Sequence, residues 1–235
     1  MVQQQQIKHQ YNDGNGRNLY TVVKFPNKEF RRLRVDTTGK EVWNWDGIKQ
    51  VPYRWPDIKD CKAVLFVEGE KDVDKLHDID LLATTIAGGS NAWSPLLKKQ
   101  SDFPEKYFSG FDQIFIIPDN DEAGQKFAQE TGEHIRDFVS KVWIIKLPNL
   151  EKGGDVSDYL AKIPPDNQKQ SLLKLIEDTK IPFESNSSQL EMNKAWDFDN
   201  LTVDEHLTDS ERSQTVNDIK VTHDRIVSQL REVTW

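Results

Sequence analysis

Two short acidic runs, each closing an apolar stretch, are the parts of this sequence best suited to chemistry. Val64-Leu65-Phe66-Val67 is followed by Glu68 and Gly69, and Ile114-Phe115-Ile116-Ile117-Pro118 by Asp119, Asn120 and Asp121. Carboxylates are hard oxygen donors, and Mg2+ is commonly held by one or two of them together with retained waters and substrate phosphate. In an extended segment Asp119 and Asp121 project to one side and Asn120 to the other, so the pair can share an ion. Each acid alone has a plainer use: Asp121 can cap a helix beginning at Glu122, and Glu68 one that follows Gly69. The joint pattern favours a metal, because like charges gathered at the ends of two buried strands are costly without a cation.

Such a gathering needs neighbouring strands that end at one edge. Apolar runs at 63–67, 81–86, 113–117 and 142–147 read as strands. Between and after them, 70–78, 93–100, 121–139 and 167–179 read as helices; in 121–139, Ala123, Phe127, Ala128, Ile135 and Phe138 fall near helical spacing. This alternation predicts a parallel sheet covered on both faces, with ligands at the carboxyl ends of its strands. Upstream, β-prone runs at 19–25, 30–35 and 41–45 predict a small antiparallel meander, and Pro52 and Pro56 suit an extended connector. The expected organisation is therefore a small basic β-rich module at 1–60, an α/β domain at 61–183, and an acidic linker with a C-terminal helix at 184–235.

The overall charge of -8 argues against a uniformly basic nucleic-acid binder, but it hides opposed segments. Residues 17–62 carry 11 Lys and Arg against 6 Asp and Glu, whereas 184–235 carry 5 against 11. On the basic side, Arg31, Arg32 and Arg34 lie on one strand, followed by Tyr53, Arg54 and Trp55, so phosphate contact and base stacking are both available. The plainer reading makes Trp43, Trp45 and Tyr53 a small core with solvated arginines outside it. Cys61 is the only cysteine, which excludes an intrachain disulfide and a multi-cysteine zinc module. The apolar runs are too short to cross a bilayer, and no signal-peptide pattern opens the chain, so a cytoplasmic protein without membrane contact is expected.

Taken in order, these motifs resemble the Toprim family, the fold shared by bacterial and phage primases, topoisomerases, small nucleases and recombination mediators. Val67-Glu68-Gly69-Glu70-Lys71-Asp72 is similar to its first motif and Pro118-Asp119-Asn120-Asp121-Glu122-Ala123-Gly124 to its second, with Ile86-Ala87-Gly88-Gly89-Ser90 as the intervening turn. Gly153-Gly154-Asp155-Val156-Ser157-Asp158 resembles the final acidic motif of primases, which often carries aspartates two residues apart; here the second position is Ser157. The resemblance runs over 63–160 and implies about four parallel strands flanked by helices. It also implies a metal set of Glu68, Asp119, Asp121 and Asp155, with Mg2+ as the cofactor and Mn2+ as an alternative.

The motif style is closest to primase and phage primase-helicase domains. It implies a primase-like protein of a phage or mobile element, making or transferring phosphodiesters on single-stranded DNA with nucleotides as co-substrates. Lys71 is placed beside the acids, Gly88 and Gly89 permit a tight turn, and Ser90 and Asn91 offer donors to phosphate. Two other readings stand beside this one: a Toprim nuclease, and a non-catalytic scaffold that captures a host or defence protein. A helicase or other protein partner is expected to engage the acidic segment 184–235.

Overall fold

A computed structural model describes residues 6–185 apart from 28, 37, 45 and 46. The C-terminal helix expected within 184–235 lies outside the described residues, as does the acidic tail beyond Ser185. Met1–Phe183 forms one compact unit. Among the described residues no helix is long and apolar enough to cross a membrane.

The unit opens with β1 (Ile7–Asn12), β2 (Asn18–Lys24), β3 (Phe30–Val35) and β4 (Glu41–Val42), which form an antiparallel meander in chain order. The sequence pattern predicts three of these strands and misses β1, whose polar run follows a glutamine-rich start. Register then decides what the meander presents. His9 pairs with Val22, Tyr11 with Tyr20, and Val22 with Arg32, which puts His9, Tyr11, Tyr20, Val22, Phe30, Arg32 and Arg34 on one face. Arg31 alternates to the other face, so the three strand arginines do not act together.

That inner face docks on the α/β part through polar contacts. α1 (Trp55–Ile58) follows the connector, and β5 (Ala63–Val67) leads into α2 (Glu70–His77). Tyr11 stacks on Tyr20 with ring centroids 4.5 Å apart and donates to Glu70 at 2.8 Å. Asp74 of α2 gathers His9 Nδ1 at 3.2 Å, the Tyr53 hydroxyl at 3.0 Å and Arg54 Nη2 at 2.8 Å. Burial raises the Asp74 pKa, but the hydrogen bonds from His9, Arg54 and Tyr53 outweigh it and hold the carboxyl below its ordinary value.

The larger sheet adds β6 (Ala83–Thr84), β7 (Gln113–Ile117), β8 (Lys141–Ile144) and β9 (Ile181–Pro182), in the order β6-β5-β7-β8-β9. The first four strands are mutually parallel, as the alternation of elements implies, and β9 is an antiparallel addition at the edge. Beyond α2, the helices are α3 (Trp93–Leu97), α4 (Phe103–Phe108), α5 (Glu122–Ile135), α6 (Val156–Ala161) and α7 (Gln168–Thr179). The core centres on Phe66 of β5, whose ring lies 5.8 Å from both Phe108 and Phe127 and 6.4 Å from Trp93. The indole N–H of the fully buried Trp93 donates to Thr131 at 2.8 Å, satisfying its one polar atom. The chain leaves β5 for β6 on one side and β7 for β8 on the other. A crevice therefore opens between the carboxyl ends of β5 and β7, where strand order reverses.

Replacing Asp74 with alanine removes the common acceptor of three donors. The expected loss is about 1–2 kcal/mol after allowing for partial exposure, read as a lower urea midpoint at unchanged slope. Since the folded carboxyl titrates below its ordinary range, this difference is full above that range and shrinks as pH falls through it.

Candidate metal and phosphate site

β5 and β7 run side by side with Val67 opposite Ile117. One residue further, the chain emerges from the sheet at Glu68 on one strand and Pro118-Asp119 on the other. Three local devices then fix the acids. Asp121 caps α5, its Oδ1 accepting from the Gly124 N–H at 2.8 Å. Gly124 is required by close approach: a Cβ there would lie 2.3 Å from the backbone oxygen of Asp119. Asn120 points away from the acids and clasps the later loop, donating to the carbonyls of Leu150 at 2.9 Å and Glu151 at 3.1 Å. Backbone bonds from Asn120 N to Gly154 O at 2.8 Å and from Gly153 N to Asn120 O at 2.9 Å complete the clasp.

The clasp brings Asp155 to the same edge. There it caps α6 in a reciprocal capping box with Asp158 and accepts from Lys71 Nζ at 2.5 Å. Asp72 joins this corner from the first turn of α2; it is 5% exposed and accepts from the Ser157 hydroxyl at 2.5 Å. Sequence reasoning placed Asp72 within a motif but gave it no role. Its signal is an acid on the apolar stripe of α2 beside the buried Val73 and Leu76. Ser157, standing where the family pattern often has an acid, here supplies a neutral donor.

Charge is the governing property of the site. Burial and the neighbouring carboxylates of Glu68, Asp72, Asp155 and Asp121 push the Asp119 pKa up to about 8. Asp72 is also raised, first by burial and then by Asp155, against the opposing pull of Ser157 and Lys71. Burial lowers the Lys71 pKa, but Asp155 and Asp72 outweigh it and the ammonium is held above its ordinary range. A cluster that retains a proton near neutral pH for want of positive charge is chemically suited to a divalent cation. Among the described residues no group of three His, Cys, Asp or Glu side chains forms a candidate metal cluster. The donor set is all oxygen, which fits an ion that keeps several of its waters.

Beside the acids is a cavity of about 380 Å3 lined by Val22, Phe30, Arg32, Glu68, Asp72 and Asp119 together with Gly69, Glu70 and the turn Gly88-Gly89. Arg32 crosses from the meander to donate to the carbonyl of Ala87 at 3.2 Å. Gly88 takes φ +125, a conformation that side-chain-bearing residues rarely adopt, and a Cβ there would sit 3.4 Å from Arg32 Nη2. The Thr85 hydroxyl, donating to the Glu68 carbonyl at 2.9 Å, ties the turn to the end of β5.

The other expected phosphate contacts are distributed differently. Ser90 and Asn91 lie in the short 3-10 turn Gly89–Asn91, where Asn91 accepts from Lys126 at 3.3 Å. Arg31 pairs with Glu29 at 2.9 Å and covers the Phe25 ring, and Arg34 donates to Asn44 at 3.0 Å. Arg54 sits at φ 54 with its guanidinium engaged by Asp74 and Asp57. Of the basic residues singled out in the sequence, Arg32 is the one that lines the acidic cavity. Tyr53 is buried, whereas Trp43 is 48% exposed and rests against Phe25.

Residues 64–160 match the family model described as Toprim-like. This segment is a Toprim-like domain. It holds both strand-end acidic motifs, the glycine turn and Asp155, in the order expected. No curated protein matches the chain. Among solved structures, a DNA primase domain from Pseudomonas aeruginosa is similar at 17% identity and TM-score 0.54, over 75% of this chain and 52% of that one. The DnaG catalytic core is similar at 17% identity and TM-score 0.50, over 75% and 53%. The primase fragment of the bacteriophage T7 primase-helicase protein is similar at 18% identity and TM-score 0.49, over 73% and 62%. At these identities the likeness to the first two is one of fold, and the chain spans about half to three-fifths of the length of the three structures.

The raised Asp119 pKa fixes the sign of a stability measurement. The folded state keeps its proton up to about pH 8 while the unfolded chain releases it near pH 4. Without divalent ions, stability should therefore fall as pH rises through that window. Asp119→Asn should remove most of this dependence, leaving the smaller part from Asp72, and exceed the parent by on the order of 2 kcal/mol at pH 8, discounted for partial exposure. Thermal melts in EDTA from pH 5 to pH 8 check both points.

Proposed function

We propose that this chain is a primase-like Toprim protein that carries out Mg2+-dependent phosphodiester synthesis on single-stranded DNA. The observation that carries this reading is the meeting of opposite charges across one cavity: Arg32 of the meander faces Glu68, Asp72 and Asp119 of the Toprim-like domain. A cation-hungry acidic edge opposite a fixed guanidinium is an arrangement suited to a phosphate chain, which needs metal on some of its oxygens and hydrogen-bond donors on others.

Glu68, Asp119 and Asp121 would hold the ion, with the charge of Asp155, on the clasped loop, adding to the negative potential around it. Bound Mg2+ would neutralise phosphate charge and polarise the phosphorus–oxygen bonds. The protein's own contributions are positional. Asp121 is oriented by its cap on α5, and Glu68 is carried at the end of β5 beside the turn that Thr85 fastens. Arg32 is held over the cavity by the Ala87 carbonyl and by the packing of the meander on α2. Its guanidinium stays charged at any working pH and can steer phosphate oxygens toward the acids. The half-exposed Phe30 ring on the same wall offers an apolar surface for a base.

Purified full-length protein supplied with single-stranded template, nucleotides and Mg2+ should extend primers. Asp119→Ala with Asp121→Ala should reduce that activity by at least about 100-fold at unchanged fold. Arg32→Ala should raise the apparent KM for template or nucleotide by roughly 10-fold and flatten its salt dependence. A parent protein with neither activity nor any response to Mg2+ would count against the enzyme reading and for a scaffold.

A further inference from the structure

The acidic edge is divided into two halves by how its oxygens are already used. On one half, Asp155 spends Oδ1 on the Asp158 N–H at 2.9 Å and Oδ2 on Lys71 Nζ at 2.5 Å. Beside it, Oδ1 of the buried Asp72 accepts from Ser157 at 2.5 Å and lies 3.7 Å from the same ammonium. Lys71 thus stands between two carboxylates from different elements, α2 and the start of α6, at the spacing of a shared counter-ion. On the other half, the partly buried Asp119 lines the cavity beside Glu68, at the ends of adjacent strands. Asp121 uses only Oδ1 for its cap, and its Oδ2 faces Gly153. Among the described residues, no lysine or arginine is ion-paired to Asp119 or Asp121.

We propose that the Lys71 ammonium is a built-in cation that closes the Asp72–Asp155 half of the cluster to divalent ions, leaving one ion site on the Glu68–Asp119–Asp121 half. The inference rests on the metal-site reading above and adds to it the number of ions and the residue that sets it. Electrostatics supplies the reason. A second divalent ion between Asp72 and Asp155 would have to expel or face the ammonium that already bridges them, and like charges at that range repel strongly in a partly buried site. Ser157 reinforces the restriction: a hydroxyl there donates to Asp72, taking up an oxygen, whereas a carboxylate would add one. The lysine side chain is 58% exposed and can be truncated without opening the core.

The test is to count Mn2+ ions bound by the full chain, using electron paramagnetic resonance titration with isothermal calorimetry alongside. Counts are taken relative to an Asp119→Asn, Asp121→Asn, Asp155→Asn variant, so that ions held elsewhere on the acidic chain cancel. The parent should bind one ion by this difference. Lys71→Met should bind two, Lys71→Arg should stay at one, and Lys71→Met with Ser157→Asp should hold the second ion at least tenfold more tightly than Lys71→Met alone. Circular dichroism melts establish that each variant is folded. Two ions in the parent, or one ion in both the parent and Lys71→Met, overturn the inference while leaving the metal-site reading intact. No specific ion in the parent overturns both.

Discussion

Repulsion among carboxylates at the ends of two adjacent parallel strands is the constraint around which the described structure is arranged. The pairing of Val67 with Ile117 forces Glu68 and Asp119 out at one edge, and the reversal of strand order there keeps the crevice open. Nothing in the apolar core relieves this crowding. It is contained by devices at the rim: the Asp121 cap, the capping box of Asp155, the Ser157 hydroxyl and the Lys71 ammonium. The energy needed to hold unlike preferences together comes from burial behind the edge, where Phe66, Trp93, Phe108 and Phe127 pack as one aromatic group.

The meander matters through the same constraint. A detached β-module could offer positive charge in any direction, but this one is fixed by polar contacts from β1 and β3 to α2 and to the glycine turn. Strand alternation directs Arg31 elsewhere, and of the two arginines left on the inner face Arg32 lines the cavity while Arg34 donates to Asn44. A basic composition is thereby converted into one oriented guanidinium.

Much of this was legible in the sequence, for identifiable reasons. β5 and β7 are short apolar runs ended by acids and glycine or proline, so their limits and their functional end could be read directly. β6 and β8 were read too long, because apolar character continues past the point where pairing stops. β1 was missed since its inward residues, His9 and Tyr11, are polar in type and serve as hydrogen-bonding anchors. The roles of Asp72 and Arg54 depend on partners 85 and 20 residues away in the chain. No local pattern announces either partnership. Arg54 in particular looks available for phosphate in the sequence, yet the fold engages it in holding α2 to the connector.

The Asn120 clasp separates two properties of the long connection between β8 and α6. Everything from Leu150 onward is fastened to the end of β7, so Asp155 takes its position from the strand that carries Asp119. The stretch before it is anchored separately, by the Ile145 N–H on the Ile116 carbonyl and by the buried Ile145 and Leu147 side chains. An insertion at the exposed Pro148-Asn149 junction would lie between two anchored points and need not move an acid, so the fastening gives the site tolerance to loop length as well as geometry.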